Sequence, residues 1–288
     1  MEQNVTEPES PRLHQPGPFG RLLRFWRATF ALSQEELALE TGVSPRHLSF
    51  LETGRSQPGR TMVLSLARVF GLAPQDLNTL LVAAGFAADP DPVDLAQPAM
   101  RWLHKSLEQH MRALDPWAAA VHDRYGTLHL VNRGWLALHR ALVSAEALQL
   151  PVNSYHLLFA ENGLRPHLVE WEDVACRLLM TLQQEVLLSG DTGAEALLAQ
   201  LLEYPSIPDH WRRRGAEIAH QHSFRMQVRM PDGKLRSYLN TVNTVGATPY
   251  VGEPRLLLSM LTPEDLVADF SREALLGDAT LSHPLLHY

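Results

Sequence analysis

The residues able to do chemistry are unevenly distributed. Between Arg12 and Phe86 lie eight arginines, no lysine and five acids (Glu35, Glu36, Glu40, Glu52 and Asp76), leaving this stretch at +3 and the remainder at −10. A basic head on an acidic body is expected when only the head meets an anionic partner. The arginine preference itself, 23 of 25 basic residues, is explained equally by a GC-rich genome. Histidine is plentiful, with ten of fourteen between His104 and His222. His220 and His222 lie on one side of an extended segment, but no third ligand and no cysteine motif accompanies them, so neither metal nor haem is expected. The single cysteine, Cys176, excludes an intramolecular disulfide and, with Val174, Leu178 and Leu179 at helical spacing, reads as buried and inert. Arg212-Arg213-Arg214 reads as a solvated charge run. There is no glycine-rich phosphate loop, Gly-x-Ser-x-Gly, His-Glu-x-x-His or Cys-x-x-Cys, so no catalytic residue, enzyme activity or required cofactor is expected.

Local signals say which elements carry the head's arginines. Ser33-Gln-Glu-Glu36 is a capping box that starts a helix over 34–41. Gly42 supplies the left-handed residue that ends it, and Val43 buries the turn. Ser44 caps the next helix, 45–52, with Pro45 in its first position. Ala38 is small where two helices cross, and Leu48 and Leu51 face inward. Amphipathic stretches 19–30, 60–70 and 74–84 complete a five-helix unit. A helical bundle used for protein contacts is the alternative reading of this unit.

Residues 19–86 resemble the Xre-type, phage repressor-like helix-turn-helix domain. Ser44-Pro-Arg-His-Leu-Ser-Phe-Leu-Glu-Thr-Gly-Arg-Ser-Gln-Pro58, Met62–Ala67 and Leu81–Ala87 look like its MmyB-like branch. The resemblance implies that the third helix enters the major groove. By position, Pro45, Arg46, His47 and Ser49 would face base edges, Gln34 would meet phosphate, and Arg55 and Arg60 would lie near the DNA backbone. The candidate DNA-binding set is therefore Gln34, Ser44, Pro45, Arg46, His47, Ser49, Arg55 and Arg60. Arg46 is the strongest reader, because a guanidinium bonds guanine O6 and N7 together. Pro45 offers only apolar contact, and His47 has an alternative reading as a solvated helix residue. Arg24 and Arg27 are expected to solvate the first helix. Such proteins pair on a palindromic double-stranded operator, with half-sites about 34 Å apart. No heptad seam appears, so the second domain is the candidate for homodimerisation.

Beyond Asp89-Pro-Asp-Pro92 the pattern changes. A helix over 99–113 precedes strands at 117–123 and 127–132. Helices over 133–149, 166–188 and 193–203 lead to strands at 223–230, 235–245 and 255–261. This β-β-α-β-β-β order predicts an antiparallel sheet with helices on one face. Asp115–Arg124, Gly163–Trp171 and Tyr204-Pro205 look like the MmyB-type ligand-binding domain, so the resemblance runs over about 19–268. It implies a PAS-like fold holding a small apolar ligand, a fatty acid, between sheet and helices. Apolar candidates for the lining are Trp117, Leu128, Leu130, Trp135, Leu157, Phe159, Met226, Val228, Tyr238 and Leu258. Candidates to anchor a carboxylate are His122, Asn132, Arg165, Tyr238 and Asn240. Each is equally readable as ordinary core or, for Arg165, as a structural partner of Glu170 or Glu172.

The expected organisation is a disordered arm (1–18), an all-α five-helix helix-turn-helix domain (19–87), a Pro/Asp linker (88–98), an α+β PAS-like domain with an antiparallel sheet (99–268) and a C-terminal tail (269–288). The chain has 288 residues, and its longest uncharged apolar run, Leu80–Ala88, is far short of a membrane span. With no apolar leader at residues 1–10, a cytoplasmic protein is expected. The leading expectation is a DNA-binding transcription regulator that senses a small apolar molecule. The alternative is a regulator whose second domain only dimerises or binds a protein partner.

Overall fold

The computed structural model describes residues 16–87, 94–218, 225–245 and 256–288. The expected arm up to residue 15, the Asp89–Pro92 stretch and the His220/His222 pair lie outside them. The described residues divide into two compact units, the first within 16–87 and the second from 94 onward. No described helix is long and apolar enough to cross a membrane.

The first unit holds α1 (Pro18–Thr29), α2 (Gln34–Thr41), α3 (Pro45–Thr53), α4 (Arg60–Phe70) and α5 (Pro74–Ala83). Both halves of the capping box form: Ser33 Oγ accepts from the Glu36 amide at 3.1 Å, and Glu36 Oε2 accepts from the Ser33 amide at 2.7 Å. Gly42 sits at φ 71°, letting the Val43 amide reach back to the Ala38 carbonyl at 3.0 Å. Ser44 Oγ then caps α3 by accepting from the His47 amide at 3.2 Å. Leu23, Leu37, Leu48, Leu51, Val63 and Leu66 close the core, each contributing about 1.5–3 kcal/mol of burial.

Gly20 lets α1 approach the end of α3. A Cβ there would lie 2.6 Å from the Glu52 carbonyl oxygen and 2.8 Å from that of Leu51. Backbone cannot yield as a side-chain tip does, so Gly20→Ala is expected to cost about 1–3 kcal/mol through overpacking. Thermal denaturation checks this, and an unchanged melting temperature would overturn the close-approach reading.

The second unit is built on an antiparallel sheet in the order β2-β1-β5-β4-β3. Its strands are β1 (Ala118–His122), β2 (Leu128–Val131), β3 (Arg225–Arg229), β4 (Leu235–Val245) and β5 (Leu256–Pro263). Its helices are α6 (Arg101–Leu114), α7 (Arg133–Leu142), α8 (Ser154–Phe159), α9 (Trp171–Ser189), α10 (Thr192–Leu202), α11 (Trp211–Glu217) and α12 (Arg272–Gly277). Alternation along β1 sends Ala118 and Ala120 into the large core with α7 to α10, while Ala119 and Val121 meet Leu107 and Met111 of α6. The expectation of helices on one face is thereby corrected, because β1 and β2 are apolar on both faces.

Two helices are shorter than periodicity predicts. The helix expected over 133–149 stops at Leu142, where Val143 turns extended and Ser144 Oγ accepts from the Ala147 amide at 3.3 Å instead. The one expected from 166 starts at Trp171, after a 3-10 turn around Pro166. Residues 269–288, set apart as a tail by sequence, pack into the second unit. Leu275, Leu281 and Leu285 are buried in its large core, and the Val131 amide donates to the Leu285 carbonyl at 2.9 Å.

Candidate functional site

The recognition surface begins with the division of α3. Leu48, Leu51 and Glu52 turn inward, which leaves Arg46, Ser49 and Phe50 on the other side. Pro45 and Arg46 are exposed, and His47 and Ser49 are half-buried. The Arg46 guanidinium lies 5.3 Å from the Phe50 ring centre, and that of Arg55 lies 6.0 Å from the same ring. A cation over a ring face loses little freedom and keeps its N–H edge for a partner. Ser44 is committed as a cap, though its hydroxyl proton stays available to an acceptor. Arg60 donates to the Ala87 carbonyl at 3.1 Å, so it also ties the start of α4 to the segment after α5.

Behind this surface is a residue that sequence reasoning passed over. Glu52 is only 2% exposed. Its carboxylate receives Arg27 Nε at 2.6 Å, Arg27 Nη2 at 3.2 Å and Gln34 Nε2 at 2.9 Å, with Arg24 3.6 Å away. Arg27 is therefore half-buried and paired, which corrects the expectation that it only solvates α1. Gln34, the expected phosphate contact, holds the same carboxylate and has one amide proton left. The signal was present in the sequence. Glu52 follows Leu48 by four residues and Leu51 by one, which places it on the inner stripe of α3.

In the second unit the expected lining does not form one surface. Leu128, Trp135, Leu157, Phe159, Val228 and Tyr238 join the large core, with Met226 packed against it. Leu130 and Leu258 belong to the other core, against α6. Strand register decides this: a shift between Val121, opposite Leu130, and His122, opposite Leu128, breaks the alternation that would put Leu128 and Leu130 on one face. Asn132 is corrected as an anchor. Its Oδ1 accepts from the Ala119 and Trp135 amides at 2.9 and 2.8 Å. Its Nδ2 donates to the Trp117 and Met111 carbonyls at 2.7 and 3.4 Å. All four hydrogen-bonding positions are spent on capping α7 and joining it to β1. Arg165 pairs with Glu161, not Glu170 or Glu172, and lies 5.0 Å from the Trp171 ring. Burial lowers the His122 pKa, and its Nδ1 lies 2.8 Å from the Asp123 carbonyl. His139, stacked on Trp135, is pushed down to about 4 by burial and stays neutral.

Trp117 and Tyr238 do come together, at an apolar crevice shared with Leu138, Leu261 and Phe270, of about 10 Å³. Asp269 lines the same crevice. Tyr238 Oη donates to Asp269 Oδ2 at 2.9 Å, and Arg236 Nε donates to Asp269 Oδ1 at 2.9 Å. Asn240 lies on the same face of β4, two residues on. Arg236 also holds Asp265 at 2.9 Å and the Val267 carbonyl at 2.7 Å, strapping 265–269 over the sheet. Arg236 was missed, although period two along β4 groups it with Tyr238 and Asn240.

A basic five-helix unit with a capped, partly exposed third helix defines a helix-turn-helix DNA-binding protein. The comparisons agree: a helix-turn-helix family model matches residues 23–77, and that of the MmyB-like transcription regulator ligand binding domain matches 103–271. The second match covers more than half of the chain, and the chain belongs to the MmyB-like family of transcription regulators. Two uncharacterized HTH-type transcriptional regulators from Archaeoglobus fulgidus are 38% and 36% identical over 55 residues, 19% of this chain and 79% and 78% of theirs. The clp gene regulator ClgR from C. glutamicum is 31% identical, matching 26% of this chain and 91% of its own, at a TM-score of 0.21.

Proposed function

We propose that this chain is a one-component transcriptional regulator that binds a palindromic double-stranded operator as a homodimer and holds a fatty acid in a PAS-like second domain. On the DNA side, Arg46 reads a guanine edge while Pro45, His47 and Ser49 lie beside it, and Gln34, Ser44, Arg55 and Arg60 meet the phosphate backbone. A five-stranded antiparallel sheet covered by helices supports the PAS-like reading.

The observation that carries the ligand reading is the grip of Tyr238 and Arg236 on Asp269 beside apolar Trp117, Leu138 and Phe270. A hydroxyl and a guanidinium converging on a carboxylate at the edge of an apolar crevice is what a fatty acid headgroup requires. The crevice holds about one water as it stands, so an acyl chain enters only when the 265–270 strap moves. A ligand then changes DNA binding only through unequal affinity for the two arrangements. The small cavity volume is the specific observation favouring a second reading, in which this domain dimerises or binds a protein partner without a small ligand.

Native and then denaturing mass spectrometry of the purified chain separates the two. A fatty acid adduct released on denaturation is the expected result. A chain that carries no adduct, and takes up none when mixed with tetradecanoate, establishes the second reading.

A further inference from the structure

We propose that His104, Glu108 and His287 form a binding site for one divalent transition-metal ion of the zinc class. The cluster shares no residue with the Tyr238 crevice or with α3. His104 and Glu108 are one turn apart on α6, so both face the same side. His287 comes from 183 residues away. His104 Nε2 lies 2.7 Å from His287 Nδ1 and 3.5 Å from Glu108 Oε1, and His287 Nδ1 lies 3.9 Å from Glu108 Oε1. Donors about 2.0–2.2 Å from a tetrahedral zinc ion sit about 3.3 Å from one another. The three distances straddle that value, so modest ring rotations admit an ion.

The surroundings hold the donors in place. His287 Nε2 lies 3.1 Å from the Pro284 carbonyl, the second-shell contact that leaves Nδ1 with its lone pair free. Its flanks are anchored: Leu285 is buried and bonded to β2, and Tyr288 Oη donates to Asp115 Oδ2 at 2.7 Å. All three side chains are partly exposed, which gives an ion a way in and leaves a fourth position for water. Two imidazole nitrogens and one carboxylate suit zinc, nickel, cobalt or copper and not the oxygen-seeking calcium or magnesium. Without the ion, one N–H···N bond joins the two rings, and metal binding replaces that proton. The ion would tie the segment around His287 to α6, the first α-helix of the second unit. His287 is far from the other two donors in the unfolded chain, so binding adds directly to stability.

The test uses the full chain, stripped with EDTA and titrated with zinc chloride by calorimetry. One zinc per chain is expected, with a rise of about 5–10 °C in the second unit's melting temperature when free zinc exceeds the dissociation constant about a hundredfold. The His104→Gln/His287→Gln variant should lose both effects while melting as the wild type does in EDTA. If that variant is already destabilised in EDTA, Glu108→Gln serves instead, with a weakened zinc affinity expected. Failure of the wild type to bind zinc, or equal binding by variants and wild type through other histidines, overturns the site.

Discussion

Replacing Glu52 with alanine is expected to destabilise the helix-turn-helix unit by about 3–5 kcal/mol, because it strands a half-buried guanidinium and an amide that were built around one carboxylate. Glu52 is 2% exposed and receives Arg27 through two nitrogens and Gln34 through a third. These bonds join α1, α2 and α3, so their loss loosens the positioning of the recognition helix as well as the core. A unit of this size melts roughly 4–8 °C lower per kcal/mol lost, so a fall well above 10 °C is expected by differential scanning calorimetry. The same carboxylate sets an acid limit. Burial pushes its pKa up, but hydrogen bonds from Arg27 and Gln34 and the charges of Arg27 and Arg24 outweigh burial and leave it below the ordinary glutamate value. A carboxylate lowered in the folded state stabilises fully above its unfolded pKa, about 4.3. That contribution is lost as pH falls through the lower folded value. Glu52→Gln should flatten this acid-side decline. A melting temperature unaffected by Glu52→Ala would show that the cluster holds nothing together.

Arg46→Ala is expected to weaken binding to an operator selected from random DNA by roughly 10- to 100-fold and to relax preference at one base pair of each half-site. Stability should change little, because Arg46 is exposed and its contact with Phe50 is shared by Arg55. Loss of a base contact differs from loss of a phosphate contact in its salt dependence. Arg46→Ala should change the preferred sequence with a nearly unchanged salt slope. Arg55→Ala should lower affinity evenly across sequences and reduce the slope by about one. Electrophoretic mobility shifts at several salt concentrations distinguish them, and equal affinity and sequence preference for Arg46→Ala and wild type would remove Arg46 from the reading face.

The helix-turn-helix was legible because its signals are local. Ser33 and Glu36 are three residues apart, Gly42 adjoins the helix it ends, and Ser44 caps the helix that Pro45 begins, so each hydrogen bond closes within one turn. The strands of the second unit were legible for a related reason, since apolar and polar residues alternate along β3, Arg225–Arg229. The crevice at Tyr238 was less so. Which side chains share a face depends on the register of strands far apart in sequence, such as Val121 opposite Leu258. Composition could propose Leu130 and Tyr238 as lining residues. It could not say that Leu130 packs toward α6 while Tyr238 reaches Asp269.

By itself the sequence determined the architecture, a basic helix-turn-helix head and an α+β body, through capping, turn and alternation patterns that act within a few residues, while the resemblance of stretches such as 44–58 and 163–171 pointed to the MmyB-like family. Tertiary structure alone decided which groups meet. It put Glu52 beneath Arg27 and Gln34, spent Asn132 on joining α7 to β1, folded residues 269–288 into the core, and brought His287 to His104. The physical reason is range. Secondary structure is selected by bonds that close within one turn or one strand pair, whereas the partner of a buried charge or an imidazole is chosen only when distant segments compete for the same space.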